Sequence, residues 1–266
     1  MQTFAAVLTV MFMLATPLSA QDALHEARRL YNTGQYEAAE RSARAAASQP
    51  RTANSAKVVL GRALLEVYRE SASEQHFAQA REALRSVNAD QLDISERVEL
   101  MLGLAQGLFL EDRFSAAAEV IEPIIPASTA LGQVAYDRAL DWWASALDRH
   151  AQTRPITERP PIYARITSRM SAELLRDAGS APANYWRVAA TRSSGDVEGA
   201  WSGAMASWIR SILGRDRGVA LRGDLDRLMI QGIIPDRAAR IGGPEPNMVI
   251  AGLVGEWEAF KASWTR

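Results

Sequence analysis

The segment that decides the fold spans residues 24–50 and reads LHEARRLYNTGQYEAAERSARAAASQP. Apolar residues recur at helical spacing in its first half, from Leu24 through Ala27 to Leu30. After the turn residue Gly34, a second stripe with the same spacing consists of Tyr36, Ala39, Ala43 and Ala46. Pro50 closes the segment, which therefore predicts two helices joined by a glycine turn.

Small residues on the second helix allow two helices to cross closely. A helix, a glycine turn, an aromatic residue two positions later and then alanines form the pattern of a helix-turn-helix repeat. On Gly34, Tyr36, Ala39, Ala46 and Pro50, the segment resembles the tetratricopeptide-repeat superfamily, in which the closing proline falls one residue later. The resemblance implies an all-α fold, a right-handed superhelix of antiparallel helix pairs (a TPR-like α-solenoid).

Two further units follow the first. The second contains Gly61 and resumes after an insertion at Phe77, and a third turns at Asp112 before Phe114. The turn aromatics are roughly 40 residues apart, which is typical of helical repeats. Capping boxes are predicted at Ser71 with Glu74 and at Asp93 with Glu96.

The second half of the chain is less regular. The next turn is predicted at Gly195, which leaves room for one helix pair around 129–150 and 162–177. A proline-rich loop near 151–161 joins that pair, because proline disrupts a helix interior. Further helices are predicted at 219–233 and 248–264. We thus expect repeats over 21–213 and a helical cap over 214–266, where no family is recognised.

Residues 1–20 resemble a signal peptide. Phe4 to Ala15 is almost continuously apolar, and Pro17 and then Ser19-Ala20 follow it. That order matches an export signal with its cleavage site. The run is shorter than the roughly 20 residues needed to cross a bilayer. We therefore expect an exported, periplasmic or secreted protein with a mature chain that starts at Gln21 and has no transmembrane segment.

Composition argues against several functions. Of 266 residues, Lys+Arg 30 balance Asp+Glu 31, so we expect no nucleic-acid partner. Cysteine is absent, which removes thiolate nucleophiles and sulfur-ligated metals. His25, His76 and His150 lack metal-ligand spacing, and no phosphate-binding or dinucleotide loop occurs. We expect no cofactor, no metal and no catalytic activity.

The family resemblance implies a concave surface, lined by the first helix of each pair, that binds a protein or peptide. Its inner-face positions include the apolar Leu24 and Leu102. The polar inner-face positions, which we predict to bind the partner, are Arg28, Asn32, Arg62, Gln106, Tyr185 and Arg192. We expect the first four to lie along one continuous surface. The predicted function is a protein-interaction scaffold.

A function of another class is a cell-wall glycan hydrolase or a sugar-binding helical protein. Residues 228–231 (LMIQ), followed by Pro235, faintly resemble the Gly-Leu-Met-Gln region of lytic transglycosylases. The leading glycine and the upstream catalytic Glu-Ser of that family are missing here. Glycan chemistry would need a cleft with a half-buried carboxylate beside stacking aromatic residues.

Overall fold

The computed structural model describes residues 20–242 and 244–264. Within this range every regular element is helical, with thirteen α-helices and no strand, which confirms the predicted all-α fold. The proposed signal peptide lies outside the described residues except for Ala20. No helix in the described part is long and apolar enough to cross a membrane.

The chain divides into two compact units between Leu92 and Asp93. The helices of the first unit are α1 (Ala20–Asn32), α2 (Tyr36–Ala47), α3 (Ala53–Ser71) and α4 (Glu74–Arg85). Those of the second unit are α5 (Ile94–Leu110), α6 (Phe114–Ile121), α7 (Gln133–Gln152), α8 (Arg159–Arg176), α9 (Ala181–Ser193), α10 (Val197–Arg210), α11 (Asp216–Leu228), α12 (Ile234–Ile241) and α13 (Pro246–Trp264). A π-helical turn, Met229–Ile233, joins α11 to α12.

The first helix pair of the first unit forms as predicted. Gly34 makes the turn with a φ of 77°, a conformation that side chains disfavour. Helix α2 packs against both α1 and α3, and its contact residues Ala39, Ala43 and Ala46 are completely buried. The alanines therefore lie at close helix crossings.

The next pair, α3 and α4, crosses at Gly61, where an added Cβ would lie only 2.5 Å from Leu84 Cγ. The predicted capping box at Ser71 and Glu74 is wrong. Ser71 is still the last residue of α3, and its hydroxyl donates to the Val67 carbonyl at 2.8 Å. Ala72, with a φ of 53°, then ends the helix.

The second unit begins with a predicted cap that is confirmed. The Asp93 side chain accepts a hydrogen bond from the Glu96 amide at 2.8 Å, and Glu96 accepts one from the Asp93 amide at 3.2 Å. Asp112 makes the turn before α6 with a φ of 58°. Ala117 on α6 is completely buried, as predicted.

One helix pair, α7 and α8, lies between the third predicted repeat, formed by α5 and α6, and the Gly195 turn, as predicted. The prediction that the proline-rich stretch is a loop up to residue 161 is wrong, because α8 begins at Arg159 and includes Pro160 and Pro161. The first amides of a helix have no acceptor within it, so proline is tolerated there. Only 153–158 connect the pair, partly as a 3₁₀ turn.

The last helices belong to the second compact unit. Gly195, with a φ of 94°, forms the turn between α9 and α10. Helix α11 packs on α9 and α10, and α13 packs on α12 and α10. Trp257 of α13 is completely buried, edge-on to Trp208 of α10 at 5.3 Å between ring centroids. The predicted helices at 219–233 and 248–264 are thus present, the first as part of a helical segment that starts at Asp216 and ends in the π-helical turn.

Candidate functional site

Helix α9 lies between α7 and α11 and packs against both. Trp186 on α9 donates its Nε1 hydrogen to the Asp141 carboxylate of α7 at 2.7 Å. Two turns further along α7, Asp148 lies within electrostatic range of Arg192. Because both positions advance together along their helices, α7 and α9 run in the same direction.

Helix α11 runs in this direction as well. Asp137 on α7 forms an ion pair with Arg217 near the start of α11. One turn after Asp137, Asp141 interacts electrostatically with Asp224, which is further along α11. Three parallel neighbouring helices therefore present one face, with α9 in the middle.

Two adjoining clefts lie beside α9, and we call them together the α9 groove. The first has a volume of about 260 Å³, and its lining residues are Tyr185, Arg192, Asp224, Arg227, Leu228, Gln231 and Gly232. The second has a volume of about 300 Å³, and its lining residues are Gln152, Arg159, Tyr163, Arg192, Ser193 and Asp236. Arg192 lines both clefts and separates them.

Two neighbours fix the position of Arg192. Its Nε donates to Asp236 Oδ2 at 2.7 Å. A Cβ added to Gly232 would lie 2.8 Å from the Arg192 guanidinium carbon, so the side chain passes directly over this glycine. Gly232 belongs to the π-helical turn, a rare feature that often occurs at functional sites. The turn therefore shapes the groove at its central residue.

Tyr185 lies half-buried in the first cleft with its ring edge-on to that of Trp186, at 5.3 Å between centroids. Burial raises the pKa of the Tyr185 hydroxyl, and the charges of Asp224, Asp148 and Asp141 raise it further. The hydroxyl thus stays protonated at neutral pH, and it is available as a hydrogen-bond donor to a ligand.

The two α7 carboxylates are perturbed as well. Burial raises the pKa of Asp148, while the nearby Tyr163 hydroxyl and a 2.6 Å hydrogen bond from Gln152 Nε2 act against the rise. Desolvation also raises the pKa of Asp141, although this residue is exposed by surface area. Solvent screening at this exposed carboxylate reduces the effect of the shift.

Two of the predicted binding residues, Tyr185 and Arg192, come together in the first cleft. In the first unit, Arg28 and Asn32 lie one turn apart on α1, and the Arg62 guanidinium of α3 stacks over the ring of Tyr31 at 4.5 Å. Helices α1 and α3 are in contact. These three residues thus occupy neighbouring helices within one unit.

Gln106 on α5 is only 6% exposed, so its side chain is packed rather than offered to a partner. Sequence reasoning missed Asp141, Asp148, Asp224 and Asp236. The one signal available was that Asp141 and Asp148, seven residues apart, share a helix face. Nothing local in the sequence indicates that α11 places Asp224 opposite them.

Among the residues that the structure describes, no group of three or more His, Asp or Glu side chains could hold a metal ion. Comparison with known proteins found no matching family model, no similar curated protein and no similar solved structure.

Proposed function

We propose that the chain is an exported, TPR-like protein-interaction scaffold without catalytic activity, and that the α9 groove binds an extended segment of a partner protein. The observation that carries the proposal is the pair of adjoining clefts along α9, with Arg192 held between them by Asp236. The partner segment would lie along α9, across both clefts.

The arrangement of α7, α9 and α11 supports this function. In helical repeat arrays, corresponding helices of successive pairs stack side by side and line one binding surface. These three helices are neighbours that run in the same direction, as first helices of successive pairs would. The TPR-like superhelix is part of the proposal, and Tyr185 and Arg192 on α9 are its central binding residues.

The chemistry of the clefts also suits a peptide. An extended backbone carries one donor and one acceptor per residue, and both need partners once they leave water. Gln152, Ser193 and Gln231 supply neutral polar groups, and Arg192 adds donors. Alternate side chains of an extended strand lie about 6.6 Å apart on one side. In this proposal the two clefts on either side of Arg192 each receive one such side chain.

A glycan hydrolase or sugar-binding protein is the second candidate. It is favoured by the raised pKa values of Asp141 and Asp148 beside the aromatic Tyr185. Spacing opposes hydrolysis, because seven residues along a helix separate the two aspartates axially by about 10.5 Å. Paired catalytic carboxylates are roughly 5–9.5 Å apart. Asp224, the third carboxylate, pairs with Arg227 at 3.4 Å.

A photo-crosslinking amino acid placed at Tyr185 tests the scaffold function in the native cell. We expect it to capture a discrete partner protein, which the same group at Leu175, a 91% exposed residue of α8, does not capture. Gly232→Ala should reduce the yield, because the new methyl group displaces Arg192. Gly223→Ala, where a Cβ meets open space on α11, is the matched control.

Equal capture at Tyr185 and Leu175 would contradict a specific groove. The glycan function has its own readout: purified protein is incubated with cell-wall glycan, and soluble products are measured by mass spectrometry. Products that disappear in Asp141→Asn would replace the scaffold proposal with an enzymatic one.

A further inference from the structure

A second polar cluster lies where α9 packs against α10. Asn184 and Ser207 are completely or almost completely buried there. Asn184 Oδ1 accepts a hydrogen bond from Arg210 Nε at 2.9 Å, and Ser207 Oγ accepts one from Arg210 Nη2 at 3.3 Å. These two buried side chains hold the Arg210 guanidinium in a fixed orientation.

The buried groups are themselves anchored. The Asn184 amide nitrogen donates to the carbonyls of Ala178 and Ser180, at 3.0 Å and 2.9 Å. The Ser207 hydroxyl donates to the Asn184 carbonyl at 3.4 Å. The support for Arg210 is therefore a connected network of buried hydrogen bonds.

A second cation, Arg187, lies one turn after Asn184 on the same face of α9. Burial lowers the pKa of Arg210, and the charge of Arg187 lowers it further. Over residues 20–242 and 244–264, neither guanidinium forms an ion pair with a carboxylate. Two neighbouring, half-buried cations thus lack a compensating negative charge.

Packing does not require this arrangement. A cation at a helix C-terminus is favourable, which accounts for Arg210 as the last residue of α10. Arg187 lies in the middle of α9, where the helix dipole offers no such benefit. Like charges in a partly buried position are unfavourable unless an anion is bound between them.

We propose that Arg187 and Arg210 form a binding site for an anionic group, a carboxylate or a phosphate. Guanidinium groups bind both anions through paired hydrogen bonds, and an orientation fixed in advance reduces the entropy lost on binding. Successive residues point about 100° apart around a helix, so the Arg187 face of α9 differs from the face of Tyr185 and Arg192. The site is therefore separate from the α9 groove.

The anion can come from a free small molecule or from an acidic side chain of a partner, and two probes distinguish these sources. Inorganic phosphate and a blocked tri-glutamate peptide are each titrated into the purified protein by calorimetry at constant ionic strength. Binding of phosphate supports a free small anion. Binding of the peptide alone supports a carboxylate carried by a partner, and binding of neither overturns the proposal.

Variants locate the site. Arg187→Gln, which removes no hydrogen bond of the buried network, should weaken binding of the active probe at least tenfold. Arg85→Gln, an exposed arginine at the end of α4, should leave it unchanged. Equal affinity in Arg187→Gln and the wild type would overturn the proposal.

Arg187→Glu gives a second, independent readout. The new carboxylate should pair with Arg210, raise Tm in phosphate-free buffer and abolish binding of the probe. A lower Tm together with unchanged binding of the probe would overturn the site. Photo-crosslinking at Tyr185 reports on the α9 groove separately, so failure of the anion site and failure of the scaffold function are distinguishable.

Discussion

Two glycines on α11 should respond in opposite ways to the same substitution. A Cβ added to Gly218 would lie 1.9 Å from the backbone oxygen of Ser211, whereas a Cβ added to Gly223 meets nothing within 4 Å. Ser211 cannot easily move away, because its hydroxyl donates to the Trp208 carbonyl at 2.6 Å and accepts from Arg222 at 2.7 Å. The clash at Gly218 is therefore with fixed backbone.

The magnitudes follow from two opposing effects. Overpacking costs about 1–3 kcal/mol, and a fixed backbone neighbour places Gly218→Ala near the upper end. Alanine regains about 1 kcal/mol of helix propensity, so the net loss of unfolding free energy is about 2 kcal/mol. Gly223→Ala gains helix propensity without a steric clash, so its unfolding free energy should rise by about 0.5–1 kcal/mol.

Urea unfolding followed by circular dichroism gives the unfolding free energy of each variant and the wild type, and thermal unfolding gives the Tm. For a unit of this size, 1 kcal/mol corresponds to about 2–4 °C in Tm, so Gly218→Ala should melt about 4–8 °C lower. Equal stability of the two variants would refute the close contact between α11 and Ser211. A lower stability of Gly223→Ala than of Gly218→Ala would refute it even more directly.

Three further predictions concern a buried bond, a pH dependence and processing. Tyr136→Phe removes a 2.6 Å hydrogen bond to the buried Glu173 and should lower the unfolding free energy by about 1–3 kcal/mol; an unchanged urea midpoint would contradict this. Burial raises the pKa of Asp148, so above about pH 4 the folded chain keeps a proton that the unfolded chain has lost. The unfolding free energy should therefore fall as pH rises through the raised pKa, and Asp148→Asn should make this fall smaller. Urea titrations at several pH values measure it, and the same pH dependence in the variant and the wild type would count against the shift. Mass spectrometry of the protein recovered from its native cell should give the mass of a chain that begins at Gln21, and a chain with an intact Met1 would exclude cleavage.

The features that sequence reasoning predicted correctly are local. Gly34 and Gly195 adopt positive φ values that favour glycine, and Ala39 and Ala117 occupy crossings that exclude larger side chains. Each depends on a few neighbouring residues, so a short pattern is sufficient to identify it. The cap at Asp93 is of the same kind.

Predictions failed where two local preferences compete. Pro160 can end a helix or lie in its first turn, and the choice depends on how α8 packs rather than on proline itself. Ser71 can cap the next helix or remain in the last turn of α3, and a hydrogen bond to Val67 favours the second. Gln106 is polar but is flanked by apolar residues in α5, a context that could have indicated burial.

The candidate site was predictable only in part. Tyr185 and Arg192 were predicted from the positions that the tetratricopeptide resemblance assigns to a binding surface, and both line the first cleft. Asp224 and Asp236 join them from elements more than 30 residues away, so their convergence depends on how α11 and α12 pack against α9. No sequence pattern predicts the π-helical turn that places Gly232 under Arg192.

That turn also sets the tolerance of the chain to length changes. The segment from Asp216 to Ile241 is helical throughout, and Met229–Ile233 holds one residue more per turn than an α-helix does. Deletion of one residue, such as Gln231, would let the whole segment become a regular α-helix. The later side chains would keep their directions, because the residue removed is the extra one of that turn, and Asp236 would stay beside Arg192. A one-residue deletion in a segment that is α-helical throughout rotates every later side chain by about 100°, so this turn gives the chain a tolerance to deletion that a regular helix lacks.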